Sequence, residues 1–391
     1  MGRILFGSEF GANLGHIYPM LRLADRLRQR GNHDIIFAVR NPLQATEKIK
    51  SHGYKVLQAP FWTVPPIKDI NKLPTARYTD VLARQGFGLT GRLENLASAW
   101  IDLVETIDAD LVIADHSPCL SFAMRGTRPM INMGNGFTLP PSSVEEYPRL
   151  QKRADLIVEE KQLLGVFQKA AEKLGIRPLE RLPQIFDTEG AFVVTVPEMD
   201  AYADLRTEEY VGPIEDHLEP CEGLGPERVF LYMAYTAKGA QKTIEAVKQS
   251  GVPATLFVRS APLEFLNKYQ SDKMEMLREP ADFSKVIPAS SLVIHSGGGG
   301  TSTTCMLAGR PQIICPSHLE TRLNCAAITR QNVGYRISSE SSVDEIATLI
   351  KEAVEDIQLQ ERALHLAKKL DGEDWKNGLD IICDKAEELI A

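Results

Sequence analysis

The chain has 391 residues, 43% of them hydrophobic, and a formal net charge of −8 at neutral pH. This length exceeds what one compact core usually holds, so two domains are expected. Acidic and basic residues are interspersed, without a basic stripe that could neutralise a nucleic-acid backbone, so DNA and RNA are not expected partners.

The six cysteines are widely spaced and form no CxxC pair. Several lie in apolar runs, where a thiol acts as a small hydrophobic group, so we expect reduced cysteines and a cytoplasmic protein. The first residues have a strand pattern without a cleavable leader, and no apolar run is long enough to span a bilayer. We therefore expect no transmembrane segment; the pattern leaves the oligomeric state open.

The first predicted unit begins with a strand over residues 3–7. An amphipathic helix follows and ends near Gly31, and residues 34–39 return as the next strand. His16 lies in the connection between the first strand and the helix. This position is at the carboxyl edge of the sheet, where open α/β sheets bind ligands. A capping or solvated histidine is the alternative use of this position.

Residues 60–100 form a long irregular section that is rich in aromatic side chains. In an α/β chain, such a section is where an apolar substrate pocket is often built, and ordinary helical packing is the alternative.

A buried strand over residues 111–114 ends at Asp115, on the same predicted edge as His16. A carboxylate at this point also commonly caps the following turn. The DxD pattern at residues 108–110 is suggestive of a metal site, but it precedes its strand and so faces the opposite edge of the sheet. We interpret it as a turn and expect no metal site.

The domain boundary is expected in a segment rich in Pro, Gly and acidic residues. A strongly helical pattern covers residues 145–175 before it. We place the first Rossmann-like domain at residues 1–214, a linker at 215–226 and the second Rossmann-like domain at 227–391. The last helix of the chain can pack back on the first domain.

A second α/β series starts after the linker, with strands at 229–233 and 254–258, a helix at 239–249 and an edge segment at 279–282. Residues 292–294 then predict a buried strand that passes through four glycines into a helix over 301–308, and a further strand follows at 311–315.

The four glycines, Gly297, Gly298, Gly299 and Gly300, lie between that strand and a helix start rich in Thr and Ser. Without a Cβ they allow close approach of a ligand to the backbone, and the unpaired N–H groups of a helix start favour an anion. A phosphate or diphosphate is the expected guest, and a flexible loop that binds nothing is the alternative.

Two segments carry a resemblance to a known family. GHIYPMLRLADRLRQRG at 15–31 resembles the amino-terminal signature of the family 1 glycosyltransferases, which are UDP-glycosyltransferase-like, and HSGGGGTSTTCMLAGRPQIICPSHLETRLNCA at 295–326 resembles their nucleotide-sugar signature. The chain looks most like soluble bacterial members that glycosylate natural products and other small molecules. The resemblance implies the GT-B fold, an α/β architecture in which two doubly wound Rossmann-like domains face each other across a cleft.

The resemblance also implies catalytic roles. His16 matches the general base of the family, and Asp115 matches the carboxylate that orients it. An acceptor hydroxyl loses its proton as it attacks the anomeric carbon, and an imidazole is suited to take it. The implied enzyme is an inverting hexosyltransferase that uses a UDP-sugar or dTDP-sugar donor and no metal or other cofactor.

Donor-binding positions follow from the second signature and from two weaker matches. These expected donor-binding residues are Thr236, Pro280, His295, Ser296, Gly297, Gly298, Gly299, Gly300, Thr301, Ser302, Glu320 and Thr321. The sequence departs from the family pattern at two sites, which involve three of these residues. Ser296 stands where the family has a phosphate-binding histidine, so it can donate a hydrogen bond but brings no charge. Glu320 and Thr321 replace an Asp-Gln pair, which indicates that the preferred sugar differs from glucose.

The acceptor is expected to be an apolar small molecule with a hydroxyl group, and the candidate acceptor-binding residues are Asn13, Phe61, Trp62, Phe87 and Phe137. Two alternatives stay open. A nucleotide-sugar epimerase could share the fold, and a non-catalytic binder could hold a nucleotide sugar without reacting it.

Overall fold

The computed structural model describes residues 2–10, 15–62, 74–89, 91–151, 155–214, 218–338, 340–371 and 377–391. Asn13, a predicted acceptor-binding residue, lies outside them. The chain divides into two compact units. Unit 1 comprises Met1–Ile214 and Lys376–Ala391, and unit 2 comprises Glu215–Trp375.

Unit 1 contains a seven-stranded sheet in the order β3-β2-β1-β4-β5-β6-β7, with every pair of neighbours parallel. Its strands are β1 (Arg3–Ser8), β2 (Asp34–Val39), β3 (Lys55–Gln58), β4 (Leu111–Asp115), β5 (Met130–Gly134), β6 (Gly190–Val193) and β7 (Glu209–Tyr210). The central strands β1, β2, β4 and β5 are almost completely buried, because helices cover both faces of a parallel sheet and apolar residues fill both.

The helices of unit 1 are α1 (Ile17–Arg30), α2 (Pro42–Ser51), α3 (Tyr78–Arg84), α4 (Arg92–Ile107), α5 (Pro118–Met124), α6 (Glu160–Leu174) and, at the end of the chain, α14 (Gly378–Ile390). Helix α14 packs on α1, where the Arg26 guanidinium donates to both carboxylate oxygens of Asp380 at 2.8 and 2.9 Å. The carboxyl-terminal helix is therefore part of unit 1.

Two predicted segments differ from the structure. The prediction of an irregular section over residues 60–100 is wrong for α3 and α4, because Leu93, Ala97 and Trp100 recur at helical spacing and bury one face of α4. The helix predicted over residues 145–175 begins only at Glu160. The preceding stretch contains Pro148, which cannot donate a helical hydrogen bond.

Unit 2 contains a six-stranded parallel sheet in the order β10-β9-β8-β11-β12-β13. Its strands are β8 (Val229–Ala234), β9 (Ala254–Arg259), β10 (Met274–Leu277), β11 (Leu292–His295), β12 (Gln312–Ile314) and β13 (Gly334–Arg336). Its helices are α7 (Ala240–Ser250), α8 (Leu263–Tyr269), α9 (Phe283–Val286), α10 (Gly299–Leu307), α11 (Leu319–Arg330), α12 (Val343–Glu355) and α13 (Ile357–Asp371). The edge segment predicted at 279–282 follows β10 as a loop.

Part of the predicted linker is ordered against unit 2. The Cys221 amide donates to the Ala308 carbonyl at 3.1 Å, and the Arg310 guanidinium donates to the Gly223 carbonyl at 2.8 Å. Within the part of the chain that the structure describes, no helix is long and apolar enough to cross a membrane.

Candidate functional site

The strand order of unit 1 reverses between β1 and β4, and this switch point brings the two predicted catalytic residues together. Ser8 pairs with Asp115 at the carboxyl ends of the two strands, and His16 stands at the start of α1. The Nδ1 atom of His16 lies 2.9 Å from Oδ2 of Asp115. The His16 side chain is 20% exposed and that of Asp115 only 6%. Ligands bind at such switch points in open α/β sheets.

The hydrogen bond to Asp115 determines which tautomer of His16 suits base catalysis. With a proton on Nδ1 donated to Asp115, Nε2 carries the lone pair that can accept a proton. The other carboxylate oxygen, Oδ1 of Asp115, is buried without a hydrogen-bond partner among the described residues. Its charge is therefore poorly compensated, and an imidazolium formed at His16 would offset it.

A second histidine, His116, forms a wall beside this pair, and the sequence prediction missed it. Its φ of 46° turns the chain sharply after β4 and places its ring 5.8 Å from that of His16. Burial, and to a lesser extent the nearby His16, hold the pKa of His116 well below its usual range. His116 is thus neutral, and its ring contacts Phe10 and Phe137 edge-on.

A row of aromatic rings leads away from His116 to a cavity. Phe10 contacts Phe87 with ring centroids 5.8 Å apart, and Phe87 contacts Trp62 at 6.0 Å. The cavity is small and open, and its lining residues are Glu9, Phe10, Arg40, Pro60, Phe61, Trp62, Gln85, Phe87 and Leu96. The structure therefore brings three of the predicted acceptor-binding residues together. Phe137 does not line this cavity and packs on His116 instead.

Glu9, immediately after β1, is a buried carboxyl group that sequence reasoning also missed. It accepts hydrogen bonds from the Trp100 indole and from the amides of Cys119 and Leu120, the latter two at 2.8 and 3.1 Å. Burial outweighs these donors and raises the pKa of Glu9 to about 7. Glu9 thus links β1 to α4 and to the start of α5, behind the cavity.

The raised pKa of Glu9 predicts a pH dependence of stability. The folded state prefers the protonated carboxyl, so its contribution is complete below the ordinary pKa of 4.5 and is lost as the pH rises towards about 7. We expect the free energy of unfolding to fall by about 3 kcal/mol over this range on account of Glu9. Urea unfolding at several pH values measures this dependence. The free energy of unfolding should change less with pH in Glu9→Gln than in the wild type, and an equal change would contradict the prediction.

In unit 2 the glycine run follows β11 and begins with a tightly constrained residue. Gly297 has a φ of 84°, and a Cβ there would lie 2.8 Å from Cγ2 of Ile314 and 3.0 Å from the Thr321 carbonyl oxygen. Asn324 donates to the Gly297 carbonyl at 2.9 Å, and the Gly297 amide donates to Nδ1 of His295 at 3.0 Å. The loop therefore has one defined conformation.

The loop leads into α10, whose start has no side-chain cap and no acidic residue in its first turn. A Cβ on Gly298 would meet no atom within 4 Å, so space is open above the helix start. The hydroxyl oxygens of Ser296 and Ser302 are buried without hydrogen-bond partners in the described part of the chain. Uncapped amides and unpaired hydroxyls at a helix start suit a phosphate group.

The other predicted donor-binding residues are placed differently. His295 is buried, and its Nε2 lies 2.8 Å from the Gln312 side chain while its Nδ1 accepts from Gly297. Burial holds the pKa of His295 near 4, so it is a neutral support of the loop. Thr321 is also buried, and its hydroxyl accepts from the amides of Ser317 and His318 at the start of α11.

Three predicted residues lie at the surface or near it. Thr236 is exposed in the turn after β8, Pro280 is exposed in the loop after β10, and Glu320 is half-buried in the first turn of α11.

The DxD pattern at residues 108–110 forms the turn that was predicted, with Asp108 ending α4 at a φ of 54°. Among the residues that the structure describes, no group of three or more His, Cys, Asp or Glu is arranged to hold a metal ion.

No family model matches the chain. Elloramycin glycosyltransferase ElmGT of Streptomyces olivaceus is 33% identical to it over 64 residues, which are 16% of each chain. A PGL/p-HBAD biosynthesis glycosyltransferase of Mycobacterium tuberculosis is 22% identical over 192 residues, 46% of this chain and 44% of that protein. The matched segments thus span less than half the length of these relatives.

Solved structures resemble the chain over its whole length. The calicheamicin glycosyltransferase CalG4 aligns with a TM-score of 0.72 and 16% identity over 100% of this chain and 98% of its own. Glycosyltransferase VinC, in complex with DTDP, aligns with a TM-score of 0.66 and 15% identity over 99% and 100%. Phytolacca americana UGT2 aligns with a TM-score of 0.64 and 16% identity over 100% of both chains. The predicted GT-B fold is confirmed.

Proposed function

We propose that this chain, which has the GT-B fold, transfers a sugar from a UDP- or dTDP-sugar to a hydroxyl group of an apolar small molecule, with inversion at the anomeric carbon. The observation that carries the proposal is the His16–Asp115 pair at the switch point of unit 1, where the 2.9 Å contact prepares an imidazole to accept a proton.

The chemistry of unit 1 supports the acceptor half of this reaction. The hydroxyl of an acceptor at His16 gives its proton to Nε2 as its oxygen attacks the anomeric carbon. Asp115 stabilises the imidazolium that forms. The cavity beyond His116 offers aromatic faces to the body of the acceptor, among them Phe61, which is 53% exposed.

Unit 2 supports the donor half. The start of α10 is uncapped, and a Cβ on Gly298 would meet no atom within 4 Å. On this proposal the diphosphate that leaves places its negative charge at these amides. On this proposal the leaving group needs no metal ion. Two of the similar solved structures hold a nucleotide ligand: VinC is in complex with DTDP, and Phytolacca americana UGT2 is complexed with UDP-2fluoro-glucose and pterostilbene.

Ser296 should contribute to donor affinity through its buried hydroxyl. Because its Oγ atom has no hydrogen-bond partner among the described residues, Ser296→Ala should leave the free energy of unfolding unchanged or slightly raise it. The same change should weaken UDP or dTDP binding about tenfold, since one hydrogen bond to a charged phosphate is lost. Calorimetric titration and urea unfolding measure the two effects. Nucleotide binding at wild-type strength would remove Ser296 from the donor site.

The proposed function is tested with a panel of UDP- and dTDP-sugars. A donor that binds the folded but not the unfolded chain raises the melting temperature. The largest increase in the panel identifies the preferred nucleotide and sugar. The selected donor is then incubated with an aromatic hydroxyl acceptor, and mass spectrometry should detect the glycoside and the free nucleoside diphosphate. An isomerised donor sugar without an acceptor would indicate an epimerase instead, and donor binding without turnover would indicate a binder.

A further inference from the structure

Arg40 places a positive charge in the wall of the acceptor cavity. The inference drawn from this charge concerns the chemical class of the acceptor and rests on the proposed function. We propose that the acceptor is an aromatic hydroxy compound with an anionic group, and that Arg40 determines this specificity by pairing with the anion. The hydroxyl end lies at His16 and the anionic end at Arg40.

Arg40 is held at the cavity by its backbone, and its guanidinium has few contacts with the described residues. Its amide donates to the Ser8 carbonyl at 3.1 Å and its carbonyl accepts from Gln58 at 2.9 Å, which anchors it just after β2. With the residues that the structure describes, the guanidinium makes one hydrogen bond, from Nη1 to the Glu9 carbonyl at 3.3 Å. Within the described ranges no carboxylate forms an ion pair with Arg40.

Glu9 lines the same cavity, and the charge of Arg40 is the smallest of the effects on its pKa. Its carboxyl group is directed to the Trp100 indole and to the amides of Cys119 and Leu120, away from an ion pair with the guanidinium. A half-buried cation among aromatic side chains is costly unless an anion pairs with it. A guanidinium matches a carboxylate or sulfonate in a planar, two-point contact.

The path between the two ends is aromatic, which indicates the body of the ligand. The rings of His16, His116, Phe10 and Phe87 follow one another with centroid separations of 5.8, 5.1 and 5.8 Å. Phe10 is adjacent in sequence to Glu9, whose carbonyl contacts Arg40. On this proposal a flat aromatic acceptor lies along this row, with its hydroxyl end at His16 and its anionic end at Arg40.

Titration of the full chain with ferulic acid and with its ethyl ester tests the proposal. Both have the same ring and hydroxyl group, and only the acid carries a charge. We expect the wild type to bind the acid about tenfold more tightly than the ester, as one charge-assisted contact allows. Arg40→Gln should reduce this ratio to about one without weakening the ester, and Arg40→Lys should keep part of it. The control Lys50→Gln removes an exposed charge on α2, outside the cavity lining, and should leave the ratio unchanged.

Equal binding of acid and ester, binding of neither, or a ratio that survives Arg40→Gln would overturn the proposal. The titration contains no donor and records no turnover, so its result is independent of sugar transfer. A clear preference for the acid in a protein that transfers no sugar would refute the proposed function and retain the anion site. Transfer to both ligands with equal affinity would retain the function and refute the site.

Discussion

Replacement of His16 by alanine is expected to lower the rate of sugar transfer by roughly 10²- to 10⁴-fold, which is the usual contribution of general base catalysis. Without the imidazole, no Nε2 atom takes the proton of the acceptor hydroxyl during attack. Donor binding should be nearly unchanged, because the expected diphosphate site lies in unit 2 whereas His16 belongs to unit 1. Single-turnover transfer assays and calorimetric titration with the donor measure the two quantities separately.

A matched control is available within the same unit. His52 forms a similar pair, with its Nδ1 atom 2.7 Å from Oδ2 of Asp25, but it ends α2 ahead of β3 rather than lying at a carboxyl strand end. His52→Ala should change stability and leave turnover near the wild-type value. Asp115→Asn should give an intermediate loss of turnover, since the imidazole remains but its orienting charge is removed. Wild-type transfer by His16→Ala would exclude it as the base.

The parts of the fold that sequence patterns predict are those set by local chemistry. Apolar runs predict the buried strands β1, β4 and β11, and the order of strands and glycine turns predicts which edge of each sheet carries the candidate residues. His16 and Asp115 could be predicted to meet because both follow from this edge rule. Their 2.9 Å contact supports the local arrangement, while their catalytic role is still a proposal.

Residues whose role depends on distant neighbours could not be predicted in the same way. Glu9, Arg40 and His116 carry no recognisable spacing, and each acquires its environment only when separate strands and helices pack around it. For Thr321, in contrast, the sequence pattern indicates a role that differs from its role in the structure. Its position in a signature indicates contact with a sugar, whereas in the structure its hydroxyl caps the start of α11, a use that depends on the local turn.

Replacement of Gly297 by alanine is expected to weaken donor binding severely. The left-handed φ of 84° costs an alanine about 1 to 2 kcal/mol, and its Cβ would approach Ile314 and Thr321 too closely, so the loop must shift. A shifted loop misaligns the amides at the start of α10. Each hydrogen bond to a charged phosphate is worth about 1.5 to 3 kcal/mol, so loss of two would weaken binding on the order of a hundredfold or more.

Gly298→Ala is the variant that distinguishes a loss of donor binding from a loss of folding. Its φ of −62° suits alanine, and its Cβ would meet no protein atom within 4 Å, so the melting temperature without ligand should be maintained or slightly raised. The added methyl group nevertheless projects into the space above the helix start, where the phosphates are expected. Thermal shift with UDP and dTDP should therefore show a weaker ligand effect for Gly298→Ala at normal stability, and a smaller one still for Gly297→Ala. If both variants bind nucleotide as the wild type does, the diphosphate binds elsewhere in unit 2, and the helix start of α10 has a purely structural role.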